Sequence, residues 1–242
     1  MNFIFKQKSL NVDLFTSNPE AFEFGKVDYA RKFIPEWWKS LPVIGGTDLL
    51  KKRNMRYCAG FNDLYQKGFI VPAWSDVHIE VGEIGIDFGT YQYSDQISEA
   101  EFHAQEQRGD FANYLEYMHL KLIPPWHVRC KEDVQFSAFG AQYNQEELRD
   151  YVVAMGLLDF KYQHSINVNM FFPKEKESKN ILIKHGTPLM HVIPLSERDL
   201  KIHRHLVSES ELALMVKHNN PITFQASYYR VKQLLSPKKC PF

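Results

Sequence analysis

In the stretch SINVNMFFP, Ile166, Val168, Met170 and Phe172 fall on one parity, while Asn167 and Asn169 fall on the other. A period of two lets a β-strand bury one face and wet the other, and a helix, whose neighbours recur every three or four residues, cannot use it. The pattern predicts a strand over about 165 to 172, its apolar face packed against the strand containing Leu189. NILIKHGTPLMHVIPL supplies two further short strands, joined at His185-Gly186-Thr187. Upstream, Val77, Ile79 and Val81 alternate with Asp76, His78 and Glu80 in the same way, and IGIDFGTYQYS continues in β-favouring residues with glycines at 85 and 89.

The ends of the chain read differently. Pro35 can open a short helix carrying Trp37 and Trp38, with Gly45 and Gly46 breaking it, and RYCAGFNDLYQKGF predicts a helix or compact loop closed at Gly68. EFHAQEQRGDFANYLEYMHLKL suits loop or helix, and Pro124-Pro125 turn the chain into a strand around Trp126, Val128 and Cys130. Ser208 caps a helix in SESELALMVKH, and ITFQASYYRVKQLL predicts a final helix. No repeat or linker marks a boundary. The reading is one domain over 1–242: a helical or loop region over 1–70, a β core over 71–207 and C-terminal helices over 208–242. Its class is α+β, with a β-barrel or jelly-roll-like core flanked by helices.

Charge narrows the function classes. Lysine plus arginine and aspartate plus glutamate number 29 each, so no global field draws the chain to nucleic acid or anionic lipid. No apolar run reaches the roughly 20 residues a membrane span needs, and MNFIFKQKSLNVDLF lacks a secretory apolar segment, so a cytoplasmic protein is expected. Cys58, Cys130 and Cys240 are too widely spaced for a disulfide framework or a CxxC zinc site. Without GxGxxG, GxxxxGK or a nucleophile elbow, dinucleotide, P-loop and hydrolase readings have no support.

Two resemblances add content. FIPEWWKSLP, CAGFNDLYQKGFIVPAWSDV and IKHGTPLMHVIPL resemble proteins of undefined role encoded by tailed, especially marine, bacteriophages. That implies a phage-type protein in the host cytoplasm. GLLDFKYQHSINVNMFF and IKHGTPLMHVIPL are similar to the third and fourth motifs of the trimeric dUTPase-like β-barrel superfamily. This second resemblance implies that Asp159 activates water for attack on a phosphate, that Tyr162 packs against deoxyribose, and that Gly156 and His191 belong to the substrate site. Magnesium would serve as cofactor. The chain departs from the family where Ser137 lacks its arginine and glycine neighbours and where Pro188 and His191 replace arginine and glutamine. KQLLSPKKCPF also lacks the glycine-rich arm.

The same residues have plainer readings. An aspartate between an apolar pair and a strand commonly ties backbone donors in a turn, and a tyrosine three residues on commonly packs in the core. His78-Ile79-Glu80 has the His-x-acid spacing of iron oxygenases on jelly-roll folds, with His191 as a distal third ligand and His103 with Gln105 as a weaker pair. His203-Arg204-His205 reads as a solvated edge. Trp37, Trp38, Trp74 and Trp126 read as core or interface anchors, since no basic stripe accompanies them, and PEWWKSLP is the candidate exposed anchor. Two function classes follow: a barrel scaffold or interaction protein, expected to be a homo-oligomer, or a divergent nucleotide-binding or phosphohydrolase enzyme. A metal-dependent oxygenase is a further alternative.

Overall fold

The structure, a computed structural model, describes residues 8–42, 54–82, 86–91, 100–102, 116–145, 150–174 and 176–216. Among these the protein is mostly β-sheet with few, short helices. A three-stranded sheet sets β1 (Leu10–Thr16) between β8 (His127–Arg129) and β15 (Leu200–Leu206). A four-stranded sheet runs β10 (Val152–Val153), β12 (Val168–Pro173), β7 (Tyr117–Leu122), β6 (Ala100–Phe102). A five-stranded sheet runs β11 (Gly156–Leu158), β9 (Phe136–Gly140), β14 (Pro188–Pro194), β3 (Phe69–Pro72), β2 (Asp28–Tyr29). The last sheet places β4 (Asp76–Val81) between β13 (Lys179–Ile183) and β5 (Ile86–Tyr91). Within these sheets every pairing is antiparallel except β1 with β15, which is parallel and in register from Leu10–Leu200 to Thr16–Leu206.

Alternation places the core. Ile166, Val168, Met170 and Phe172 are fully buried, as the period of two requires, and each such burial contributes about 1.5–3 kcal/mol relative to exposure. Strand β12 hydrogen-bonds β7 and β10, whereas Leu189 belongs to the five-stranded sheet, so the two meet only as members of one shared core. That core also takes Leu10, Val12 and Leu14 from β1, Val77, Ile79 and Val81 from β4, and Ile181 and Ile183 from β13. In β3, Phe69 and Val71 face this core and Ile70 the opposite side, where it joins a smaller cluster with Ala30, Phe61, Tyr65 and Ala141.

The short helices sit at the margins. Helix α1 (Pro19–Glu23) is capped by Asn18, whose side-chain oxygen accepts from the Ala21 N–H at 2.9 Å. Pro35 opens α2 (Glu36–Lys39), which carries Trp37 and Trp38 as the sequence predicts. Helix α3 (Ala59–Gln66) covers the smaller cluster and stops before Gly68, which has φ +77°. In α4 (Glu209–Val216) a capping box forms: Ser208 Oγ accepts from the Glu211 N–H at 3.3 Å while Glu211 Oε2 accepts from the Ser208 N–H at 2.9 Å. No helix among the described residues is long and apolar enough to cross a membrane.

Three expectations change. Residues 1–70 are not only helix and loop, because Leu10, Val12 and Leu14 alternate inward with Asn11 and Asp13 outward in a central strand. The described ends of the ambiguous 101–122 stretch are strands, with Glu101 beside Lys121 and Phe102 beside Leu120. Among the described residues no closed barrel forms: consecutive strands part company, as when the Gly186 turn (φ +81°) sends β13 to β4 and β14 to β3 and β9. The expected final helix, Gly45, Gly46, Gly85, His103, Gln105 and Cys240 lie outside the described residues.

Candidate functional site

The segment from Gly156 to Ser165 begins at the edge of one sheet and ends stitched to another. Strand β11 pairs Gly156, Leu157 and Leu158 with Ala138, Ser137 and Phe136. The chain then turns, with Phe160 fully buried and its carbonyl accepting from the Cys130 N–H at 3.1 Å. The Val128 N–H donates to the His164 carbonyl at 2.7 Å, and His164 Nδ1 lies 3.0 Å from the Val128 carbonyl oxygen. Asp159 is therefore held between two anchored residues.

Asp159 as a whole is 4% exposed, and its Oδ1 accepts from the Lys161 N–H at 3.3 Å. The Asp159 carbonyl accepts from the Tyr162 and Gln163 N–H groups at 3.1 and 2.9 Å. This is the bonding of an aspartate that organises a turn. Tyr162 is half-buried, with the Lys161 ammonium 5.5 Å from its ring centroid. Gly156 stands in open space, where a Cβ would meet no heavy atom within 4 Å, so it cradles no neighbouring group.

His191 is placed apart from these three. It pairs with Phe139 and Ile70 on the face of the five-stranded sheet covered by α3, its ring 5.9 Å from Tyr65 and 5.2 Å from Phe139. Nε2–H donates to the Lys67 carbonyl at 2.8 Å, and burial pushes the imidazole pKa down, outweighing that hydrogen bond. A neutral, satisfied core histidine results.

The donors of the metal reading are not brought together. His78 and Glu80 project from the exposed face of β4, where Glu80 accepts from Ser178 Oγ, while His191 is buried in a different sheet. Among the described residues no group of three or more His, Cys, Asp or Glu side chains converges in a way that could hold a metal. The His203–His205 run divides by parity. His203 Nε2 lies 3.1 Å from Asn11 Oδ1 and His205 Nε2 lies 3.0 Å from Asp13 Oδ1, whereas Arg204 turns to the other face and pairs with Asp28 at 3.0 Å.

Two surfaces stand out instead. Trp37 Nε1–H donates to the Tyr143 carbonyl at 2.8 Å, and its ring meets Phe61 edge-on at 5.8 Å. Beside it lies an open cavity of about 600 Å³ lined by Trp37, Leu41, Asn54, Met55, Tyr57 and Cys58, with Tyr143 exposed alongside. The sequence singles out Trp37 but not Met55, Tyr57 or Tyr143, which are collected only where α2 and α3 pack against the turns at Met55–Tyr57 and Gln142–Asn144. The second surface is the apolar edge at Val152, Met155 and Leu157, whose only signal in the sequence is an eight-residue run, YVVAMGLL, without charge or proline. Compared with known proteins, the chain matches no family model and no curated protein.

Proposed function

We propose that this chain is an interaction protein, of the phage-encoded kind it resembles, that uses a jelly-roll-like stack of sheets as a scaffold in the cytoplasm. The observation that carries this reading is the aromatic face around Trp37. Trp, Tyr and Met are enriched in interfaces, and Trp and Tyr anchor them because each buries a large area while fixing only two χ angles. Here Trp37 is held by a hydrogen bond and by the Phe61 ring before any partner arrives, so little freedom remains to be lost on binding. The nucleotide reading has no comparable support, since the Asp159 carboxylate is enclosed and already bonded to backbone.

A photo-crosslinking amino acid at Tyr57, with exposed Leu214 as the control position, tests the reading in lysate of the source cells. Discrete adducts at 57 that vanish with Trp37→Ala, and that are absent at 214, are expected. Equal background labelling at both positions would sink the proposal. Calorimetry of the wild type with deoxyuridine and deoxycytidine triphosphates and magnesium is expected to give no heat. A saturable heat lost in Asp159→Asn would transfer the reading to nucleotide chemistry.

A further inference from the structure

Two sheets end side by side along Tyr151–Leu158. Strand β10 is the outermost strand of the four-stranded sheet and pairs with β12, and β11 is the outermost of the five-stranded sheet and pairs with β9. Between them the Ala154 N–H donates inward to the Asn169 carbonyl at 2.8 Å. Among the described residues no strand lies on the outer side of either. Met155 is 78% exposed, Leu157 61% and Val152 49%, and Gly156 between them is open.

Edges of this kind are ordinarily blunted by lysine, proline or a bulge, because an unpaired strand templates another. Residues 151–158 carry no charge and no proline, and the flanking Asp150 is neutralised by Lys179 at 2.9 Å. Exposed apolar side chains along an unprotected edge make it a template for pairing with another chain.

We propose that this edge pairs with the same edge of a second copy of the chain, antiparallel across a two-fold axis at Gly156. The choice of occupant rests on charge. A two-fold contact sets residue i against j and j against i, so any charge on the edge would face a like charge close to the axis. An uncharged edge is complementary to itself and offers nothing by which to select a charged partner. Centred on Gly156, the pairing sets Met155 against Leu157 of the second copy and Leu157 against its Met155, all four side chains on one face. Strands so paired stand ~4.8 Å apart, and nothing lies within 4 Å of where a Cβ at Gly156 would sit to obstruct the approach. A contact this short falls below the roughly 1,200 Å² of a stable interface, so the dimer is reversible and concentration-dependent.

Sedimentation equilibrium of the full chain is expected to give a monomer–dimer equilibrium. Leu157→Lys should raise the self-association Kd at least ~10-fold with the melting temperature unchanged, because the residue is exposed. In a Cys58→Ser, Cys240→Ser background, Gly156→Cys should form a disulfide with its own copy under mild oxidation, since the axis brings the two positions together. A wild type that stays monomeric at every concentration overturns the proposal. So does a dimer that survives Leu157→Lys and gives no Gly156→Cys crosslink. The Tyr57 adducts should persist in Leu157→Lys, which keeps this test separate from that of the aromatic face.

Discussion

Asp159 and His127 illustrate what burial does to an ionisable side chain. Asp159 was legible as either a base or a turn former, and the sequence could not choose, because the choice depends on what encloses the carboxylate. The structure places it under the turn, accepting from the Lys161 N–H. Asp159→Ala is therefore expected to cost about 1–3 kcal/mol in urea denaturation, the worth of a hydrogen bond to a charged acceptor. His127 has its Nδ1 buried without a hydrogen-bond partner, and burial, with a smaller contribution from His164, lowers its pKa to about 4. A histidine with a depressed folded pKa binds fewer protons than its unfolded counterpart below the ordinary value of about 6.5. Stability is then lost as pH falls from about 6.5 towards 4, by at most about 3 kcal/mol from this group. Thermal melts from pH 7 to 4.5 should show a shallower loss in His127→Phe than in the wild type.

At the scale of elements, the two left-handed glycines among the described residues separate conformation from space. Gly68, at φ +77°, closes α3, and a Cβ there would sit 2.1 Å from the Val192 carbonyl oxygen. Gly186, at φ +81°, turns β13 into β14 with nothing near its missing Cβ. Both positions disfavour a side chain by about 1–2 kcal/mol for conformation alone. Gly186→Ala should cost about that much, and Gly68→Ala several kcal/mol or failure to fold, since backbone cannot yield as a side-chain tip can. Equal midpoints for the two variants in chemical denaturation would contradict this account. The turn at Gly186 and the helix closure at Gly68 were both legible, because φ is a local property. The close approach of Gly68 to β14 was not, because Val192 is distant in sequence.

Across the whole molecule, the pairing of β1 with β15 joins Leu10 to Leu200 and so ties the start of the described chain to its far end. Such long-range closure is entropically costly until the intervening sheets exist, so this sheet is expected to form late. Val12→Ala should cost about 1–3 kcal/mol, and stopped-flow measurements should find most of it as faster unfolding, with the folding rate little changed. A fall in the folding rate of the same size would place β1 in the nucleus instead. By itself the sequence determined the strands that alternate cleanly, at Asp76–Val81 and Val168–Pro173, together with their buried faces and the helix starts at Pro35 and Ser208. These follow from periodicity, capping chemistry and φ preferences, which act over a few residues. Only the tertiary structure decided that β1 is a central strand, that the sheets do not close into a barrel among the described residues, that His191 lies apart from His78 and Glu80, and that Trp37 meets Tyr143. Each of these depends on which distant segments share a ladder or a core, and partner choice between strands is settled by the burial of the whole chain.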